Sequence, residues 1–442
     1  MLKYSIPLIC CIFVSSCYTA RPTKTEVLSG LSVLQGATDE TSTQINIIAP
    51  ADKNYSVAVG FDKSLLESPV LQKKVHPGSA TQVLQLHLDN LTPELLYTLR
   101  IYEGDAADPK LLIDERYFKT LPKTWTQTRL FVISCTDDSF EELQKKQWKQ
   151  ISEQKPDLLF MIGDNVYVDG GAMRLKSVNE DDIWRRYAET AQRLDLYKNK
   201  QLIPVFATWD DHDFGINDGG AEFQHKLFAQ SVFKTFFPME PNSILQSGPG
   251  VASALKIGRQ QFLFLDDRSF RSAKLTKPQT HFGAEQTGWI LQQIQKHKGP
   301  TWLMSGDQFF GAYHRFESFE GNHPEDFKKF IKDLKSIKKP LIFLSGDRHL
   351  SEISKIEKSL LGFETLEMTS SGLHAKMHPG SADQHKNPRR IFVKDGLSNY
   401  LDLKIDITQE KAIQFDAEIW GENFASLFRQ TFHLNSKNHL SP

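Results

Sequence analysis

The sequence predicts a layered α/β domain preceded by a small all-β domain, and three observations carry that prediction. At 442 residues the chain is too long for one small domain. Between about 42 and 120 it runs in short segments of alternating apolar and polar residues separated by turn signals, with no helical periodicity. Beyond 125, continuous apolar runs of strand length alternate with amphipathic stretches at helical spacing, the pattern of sheets covered by helices. Hydrophobic residues make up 40% and charged residues 24%, the balance of a globular protein with a sizeable core. The formal net charge is −1, from 53 Lys+Arg against 54 Asp+Glu. No field of one sign steers such a chain to nucleic acid, and stable nucleic-acid binding is not expected.

Residues 1–17 read as an export signal. Lys3 supplies a positive start, and Ile6–Val14 is an apolar stretch too short to span a bilayer. The following Val14-Ser15-Ser16-Cys17 resembles a bacterial lipobox, an aliphatic residue and two small ones before a cysteine. Cleavage before Cys17 and lipidation of its thiol would anchor the mature protein on the periplasmic or cell-surface face of a bacterial membrane. The alternative is an ordinary signal peptide that contains a cysteine. No later apolar run is long enough for a transmembrane helix. Of the four cysteines, Cys10 and Cys11 would leave with the signal and Cys17 would carry lipid, so Cys135 stands alone in the folded body. A disulfide framework is excluded, which raises the question of what holds that thiol.

Residues 18–40 are polar and aperiodic and read as a tether; residues 41–122 read as the β-sandwich. Its strands include Gln44–Ile47, Ser56–Val59 and Val83–Leu88. Leu91-Thr92-Pro93 followed by Tyr97 resembles the corner of an immunoglobulin- or fibronectin-like sandwich, where the tyrosine hydroxyl bonds back to the chain. Phe118-Lys119-Thr120 would close the last strand, and Leu121-Pro122 marks the boundary.

Residues 125–442 form the second domain. Strands are expected at Leu130–Ser134, Leu158–Ile162, Pro204–Thr208, Phe262–Leu265, Trp302–Met304 and Leu341–Ser345, with helices at Glu180–Leu194, Ala284–Lys298 and Pro324–Ile337. Phe415–Ile419 reads as a closing strand and Glu422–Gln430 as a candidate C-terminal helix. Four of the strands run into polar clusters: Ser134-Cys135-Thr136-Asp137; Gly163-Asp164-Asn165-Val166-Tyr167-Val168-Asp169; Trp209-Asp210-Asp211-His212-Asp213 with Asn217 and Asp218; and Gly346-Asp347-Arg348-His349. Loops at the carboxyl ends of strands form the active crevice of α/β sheets, so these clusters converge. Taken singly, an aspartate after a strand is often a helix cap or a turn residue, and a lone cysteine is often a small core residue. Together they place more anionic donors in one crevice than can stay ionised without cations, which points to metal.

This set resembles the alkaline phosphatase D family of the calcineurin-like metallophosphoesterase superfamily. Superfamily members usually open with Asp-x-His, then Gly-Asp, then Gly-Asn-His; the clusters above are the replacements that mark the phosphatase D branch. Leu265-Asp266-Asp267-Arg268-Ser269-Phe270-Arg271 and Gly283-Ala284-Glu285-Gln286 before Trp289 match as well. The resemblance covers about residues 125–405. It implies a four-layer α/β/β/α sandwich and a phosphoesterase in which a hydroxide held between two metals attacks phosphorus.

The resemblance also implies roles for single residues. Asp164 would bridge both metals. Cys135, Tyr167 and His349, with Asp137 nearby, would bind the first, and thiolate and phenolate donors suit Fe³⁺. Asn217 and Asp347 would hold a divalent ion: Ca²⁺ by the resemblance, with Mn²⁺ and Mg²⁺ equally compatible with the donors. His212, beside Asp211, is the candidate for protonating the leaving group or holding a phosphate oxygen; orienting a ligand carboxylate is its alternative role. Arg268 is either a bidentate contact to substrate phosphate or a structural partner of Asp266 or Asp267. His374, after another expected strand, would line the pocket. Arg348 sits where the family varies and would tune substrate charge, and Asp213 and Asp218 add acidity without an assigned role. The expected substrate is a small-molecule or lipid phosphate ester. A diesterase acting on lipid or nucleic-acid phosphodiesters with the same metals, and a binding lipoprotein whose metal is purely structural, are the competing readings.

Overall fold

The computed structural model describes residues 31–441 apart from 62–63, 66–68, 105–110, 171–176, 275 and 435–439. The export signal and Cys17 lie outside the described residues. Two four-stranded antiparallel sheets form the N-terminal part. One runs in the order Ser32–Thr38, Thr43–Pro50, Thr81–Leu88, Gln72–Val75; the other runs Ser64–Leu65, Tyr55–Phe61, Leu96–Glu103, Leu111–Lys119. Val33, Ile45, Ile47, Leu84 and Leu86 of the first sheet pack against Val57, Val59, Leu99, Ile101 and Phe118 of the second. The Tyr97 hydroxyl accepts the Thr92 N–H at 2.7 Å, and its ring stacks on Phe118, which fixes the corner read from the sequence.

Within the tether expected over 18–40, Ser32–Thr38 is instead a buried strand paired with Thr43–Pro50, and residues 18–30 lie outside the described residues. Its sheet is covered on both faces, so the usual alternation is lost. Leu34, Ile48 and Val83 enter the core of the second domain, and Asn46 Nδ2 donates to the Thr235 and Phe236 carbonyls at 2.8 and 3.0 Å.

Two larger sheets lie face to face in the second domain. The first runs Val205–Thr208, Leu158–Ile162, Gln127–Ile133, Asn399–Asp406, Ile413–Gly421, Ser426–Leu434, Leu440–Ser441, with its first three strands parallel. The second runs Leu245–Ser247, Ser253–Ile257, Gln260–Phe264, Thr301–Ser305, Leu341–Ser345, Thr365–Ser370, Ser351–Ile356, Arg390–Lys394. Val132, Phe160, Phe206 and Leu403 of one sheet meet Phe262, Trp302, Ile342 and Met368 of the other in a continuous apolar layer.

Helices cover the outer faces. Phe131, Leu159 and Val205 receive Trp148 and Ile151 of Glu141–Gln154, Ile183 and Tyr187 of Glu180–Arg193, and Val232 and Phe233 of Lys226–Phe236. Leu263, Leu303 and Phe343 receive Ile290 and Ile294 of Gly283–Lys296 and Phe327 and Ile331 of Pro324–Ile337. The layers therefore follow one another as helix, sheet, sheet, helix. Glu180–Arg193 starts in a capping box, with the Asn179 side chain accepting the Asp182 N–H, and Pro324 opens its helix where its missing N–H costs nothing.

The helix expected over Glu422–Gln430 is instead a short turn, Glu422–Phe424, followed by the strand Ser426–Leu434. Phe428, Phe432 and Leu434 fall on even positions and join the apolar layer between the sheets, so a period of two wins over helix propensity there. Among the described residues no helix is long and apolar enough to cross a membrane.

Candidate metal centre

The parallel strands of both sheets end at one place, and their backbones touch there. Gly346 N–H donates to the Gly306 carbonyl at 2.8 Å, and Thr136 N–H to the Asp164 carbonyl at 2.8 Å. A Cβ on Gly163, where φ is +101°, would lie 2.7 Å from Asp210 Cβ and 3.0 Å from Gly306 Cα. A Cβ on Gly346 would lie 2.5 Å from Ser134 Oγ. Glycine lets the strand ends close in on each other.

Residues at these strand ends hold strained backbones, Asp164 and Asp347 directly after Gly163 and Gly346. Cys135, Asp164, Asp218, Asp347 and His349 all have φ between +52° and +63°. For residues other than glycine that conformation costs about 1–3 kcal/mol each, and such strain collects where function demands a fixed side chain.

Cys135, Asp164, Tyr167 and His349 come together as one group. Asp164 Oδ2 lies 3.5 Å from Cys135 Sγ and 3.3 Å from the Tyr167 hydroxyl, which lies 3.5 Å from His349 Nε2. Donors that share one ion at 2.0–2.3 Å sit roughly 3–3.7 Å apart. His349 Nδ1 is bonded to the Lys376 carbonyl at 2.7 Å, which turns Nε2 toward the group. Burial pushes the imidazole down to about 4, so it is neutral and able to ligate. Asp164 Oδ1 is buried and has no hydrogen-bond partner in the protein, although it is a carboxylate oxygen. These donors fit a cation.

Asp164 also belongs to a second group with Asp211 and His212, and Asp211 to a third with Asp218 and Glu317; in each, ligand atoms lie within 4.8 Å of one another. His212 Nδ1 is held by Asp169 at 2.7 Å, and its ring stacks on Tyr167 at 4.3 Å, leaving Nε2 for the cavity. Asn217 and Asp347 line the same cavity of about 820 Å³, and the Asn217 N–H donates to Asp169 at 3.2 Å.

The electrostatics show a shortage of positive charge. Burial, then the carboxylates of Asp211, Asp213 and Asp347, lift Asp164 well above the usual carboxylate range despite the attraction of His212. Asp347 is lifted to about 7 and Asp213 to about 7, burial being the largest cause in each. Burial, then the Asp164 charge, pushes the Cys135 thiol and the Tyr167 phenol well up. Bound cations would reverse all these shifts together.

Three expected roles are corrected. Arg268 is fully buried: its Nε donates to Asp210 at 2.6 Å and its Nη1 to Glu317 at 2.7 Å, so it is a structural cation with no surface for substrate. Its chief partners are Asp210 and Glu317; of the two carboxylates read from its neighbours, Asp267 stands farther off at 3.7 Å. His374 is also fully buried, with Nδ1 on the Asp137 carbonyl at 3.2 Å and its ring edge-on to Trp148, and it does not line the cavity. Asp137 stays outside the three groups; its Oδ1 accepts the Ser139 N–H at 2.9 Å, the turn role that an aspartate after a strand often takes.

Asp169 and Arg271 were named without a role in the sequence reading, and Asp307 and Glu317 escaped it. Asp169 positions His212. Glu317 is gripped by Arg268 and, at 2.6 Å, by Arg271, which also reaches Asp307 at 3.2 Å. Ser305-Gly306-Asp307 ends a fifth strand with the same Gly-Asp signal as its neighbours and could have been found by it. Glu317 lies on an irregular loop and carries no such signal.

Comparison with known proteins adds two findings. The purple acid phosphatase PPD1 isolated from yellow lupin (Lupinus luteus) seeds is similar over 91% of this chain and 73% of its own, with a TM-score of 0.61 and 14% identity, a likeness of fold. The sensor domain of the anti-sigma factor RsgI4 of Pseudobacteroides cellulosolvens aligns with 22% of this chain and 94% of its own at a TM-score of 0.16 and 12% identity, too weak to carry an argument. No curated protein sequence matches the chain. The family model described as PhoD-like phosphatase matches residues 130–404, a span that holds every strand end of the metal centre. The chain belongs to the PhoD-like phosphatase family and is a hydrolase of phosphoric esters.

Proposed function

We propose that this protein is a two-metal phosphoesterase acting outside the cytoplasm on small-molecule or lipid phosphate esters, with Fe³⁺ held by Cys135, Asp164, Tyr167 and His349. A divalent ion, Ca²⁺ by family resemblance, would be held by Asp164, Asn217 and Asp347, with Asp211 beside them. The observation that carries this reading is the donor set around Asp164, whose buried Oδ1 has no partner in the protein. When bound, the two cations supply Lewis acidity to the phosphoryl oxygens and lower the pKa of water. Asp169 and the stacked Tyr167 ring fix the His212 imidazole, so that Nε2 can hand a proton to the departing ester oxygen. Lys376 orients His349, and the paired Arg268 and Arg271 fix Glu317 at the cavity wall. Family membership sets aside the reading as a non-catalytic binding lipoprotein. A lipid phosphodiester is the second reading for the substrate, favoured by the lipobox-like Val14–Cys17, which would hold the enzyme beside a membrane.

The test is elemental analysis of purified protein together with rates on p-nitrophenyl phosphate and bis-p-nitrophenyl phosphate at matched metal content. Iron plus a divalent ion with turnover of either ester supports the proposal; full activity after both ions are removed sinks it. For the anchor, Cys17→Ala is expected to release active enzyme into the soluble exported fraction, and membrane retention of that variant refutes lipidation at Cys17.

A further inference from the structure

The cavity has two chemically different walls. The carboxylates of Asp164, Asp211, Asp218, Glu317 and Asp347 lie on the metal side. Arg315, Phe316, Arg348 and His385 line it as well. The Arg348 guanidinium lies 4.2 Å from the Phe316 ring centroid, Arg315 lies 5.5 Å from the same centroid, and the His385 ring meets Phe316 edge-on at 5.1 Å. Arg348 is only 7% exposed, and its buried Nε has no hydrogen-bond partner. The other buried arginines around the cavity are spent: Arg268 is paired with Asp210 and Glu317, and Arg271 with Asp307 and Glu317. Among the described residues no such ion pair forms at Arg348.

A buried guanidinium with no carboxylate in contact is unfavourable, and the field of the neighbouring Asp347 and a contact with an aromatic face offset only part of that. Burial, then the charges of Arg348 and His385, hold the nearby His314 down to about 3. The planar fork of an arginine matches a phosphate oxygen pair. Arg348 lines the same cavity as its chain neighbours Asp347 and His349, so an anion on it would share that cavity with the phosphoryl group. A cavity of about 820 Å³ is of the size that takes a whole organic ligand and not the phosphoryl group alone. Exposed Arg315 and Phe316 carry the basic wall outward toward the mouth.

We propose that Arg348, seated on Phe316 and flanked by Arg315 and His385, is a second anion subsite that selects esters whose leaving group carries a further phosphate. This rests on the phosphoesterase reading of the metal side.

The test is calorimetric binding to the metal-loaded full chain of straight-chain alkane bisphosphonates of increasing length, each against the alkylphosphonate of the same length. At one length or more the bisphosphonate is expected to bind about tenfold tighter or better, the scale of one charge-assisted contact. That advantage is expected to vanish in Arg348→Gln and to shrink in Phe316→Leu, with metal content measured in each variant. No advantage at any length overturns the subsite. So does an advantage that survives Arg348→Gln, or one lost only in Lys274→Gln on the same cavity. Equal weakening of both ligand series in Arg348→Gln overturns it as well, since Arg348 would then hold the transferred phosphoryl group. Should Arg348→Gln fail to fold, the exposed pair Arg315→Gln/Phe316→Leu takes its place: partial loss of the advantage supports the subsite and full retention overturns it. Hydrolysis of p-nitrophenyl phosphate and of bis-p-nitrophenyl phosphate by the same metal-loaded protein is scored separately, so that the absence of both refutes the phosphoesterase reading independently of the binding ratio.

Discussion

Asp347→Asn should change the stability of this protein with opposite sign in the presence and absence of metal. Burial, countered by Arg348 and reinforced by Asp211 and Glu317, lifts the Asp347 carboxyl from 3.8 to about 7. That rise corresponds to at most ~4 kcal/mol between the charged and neutral forms. Water entering from the cavity that Asp347 lines reduces it, to about 1–3 kcal/mol. The native state binds this proton more tightly than the unfolded chain. Between pH 3.8 and about 7 the stability of the metal-free protein therefore falls as pH rises, and it stays low above that window.

Asparagine keeps the shape of the side chain and tolerates the φ of +63° at this position. In metal-free protein at pH 8 the variant is expected to be more stable than wild type by about 1–3 kcal/mol, because a strained buried charge is gone. In metal-loaded protein it is expected to be less stable, because a donor that balances the cation is gone. Urea denaturation at pH 5 and pH 8, after chelation and after reloading, measures all four states. If the variant is destabilised by the same margin with and without metal at pH 8, Asp347 is held by the protein and not by an ion, and its assignment as a donor fails.

The remaining predictions concern four other side chains. Asp164→Asn is expected to lower turnover by about 10³-fold or more, with no rescue by excess divalent ion, whereas Asn217→Ala is rescued; equal rescue of the two by titrated metal would rule out a bridging Asp164. Cys135→Ser should lose iron and activity together while keeping its circular dichroism, and full iron with full rate would make Cys135 a core residue only. Arg268→Leu leaves Asp210 and Glu317 without their cation and should destabilise the protein by about 3–5 kcal/mol; an unchanged denaturation midpoint with a raised KM would restore Arg268 as a substrate contact.

Much of the architecture was legible because it is written in local pattern. Leu158–Ile162 lies between a Pro-Asp pair and a glycine, and Pro324–Ile337 opens on a proline, so both were found at their true bounds. Ser32–Thr38 was missed because both faces of its sheet are covered, which erases the period-two signal. Ser426–Leu434 was misread because its strand identity comes from pairing with Ile413–Gly421, not from its own propensity.

The same division runs through the site. The sequence by itself determined the donors: a thiol, a phenol, imidazoles and carboxylates placed at strand ends, since the end of an apolar run and the glycine after it are local features. Only the tertiary structure decided which cation answers which anion. Arg268 finds Asp210 58 residues before it and Glu317 49 residues after it, while the closer Asp267 is the more distant partner in space. Burial, not sequence proximity, sets the value of such a pair, because a charge removed from water takes whichever opposite charge the fold brings within reach. Among the described residues Arg348 forms no such ion pair, and its buried Nε, without a hydrogen-bond partner, belongs to a side chain that lines the cavity.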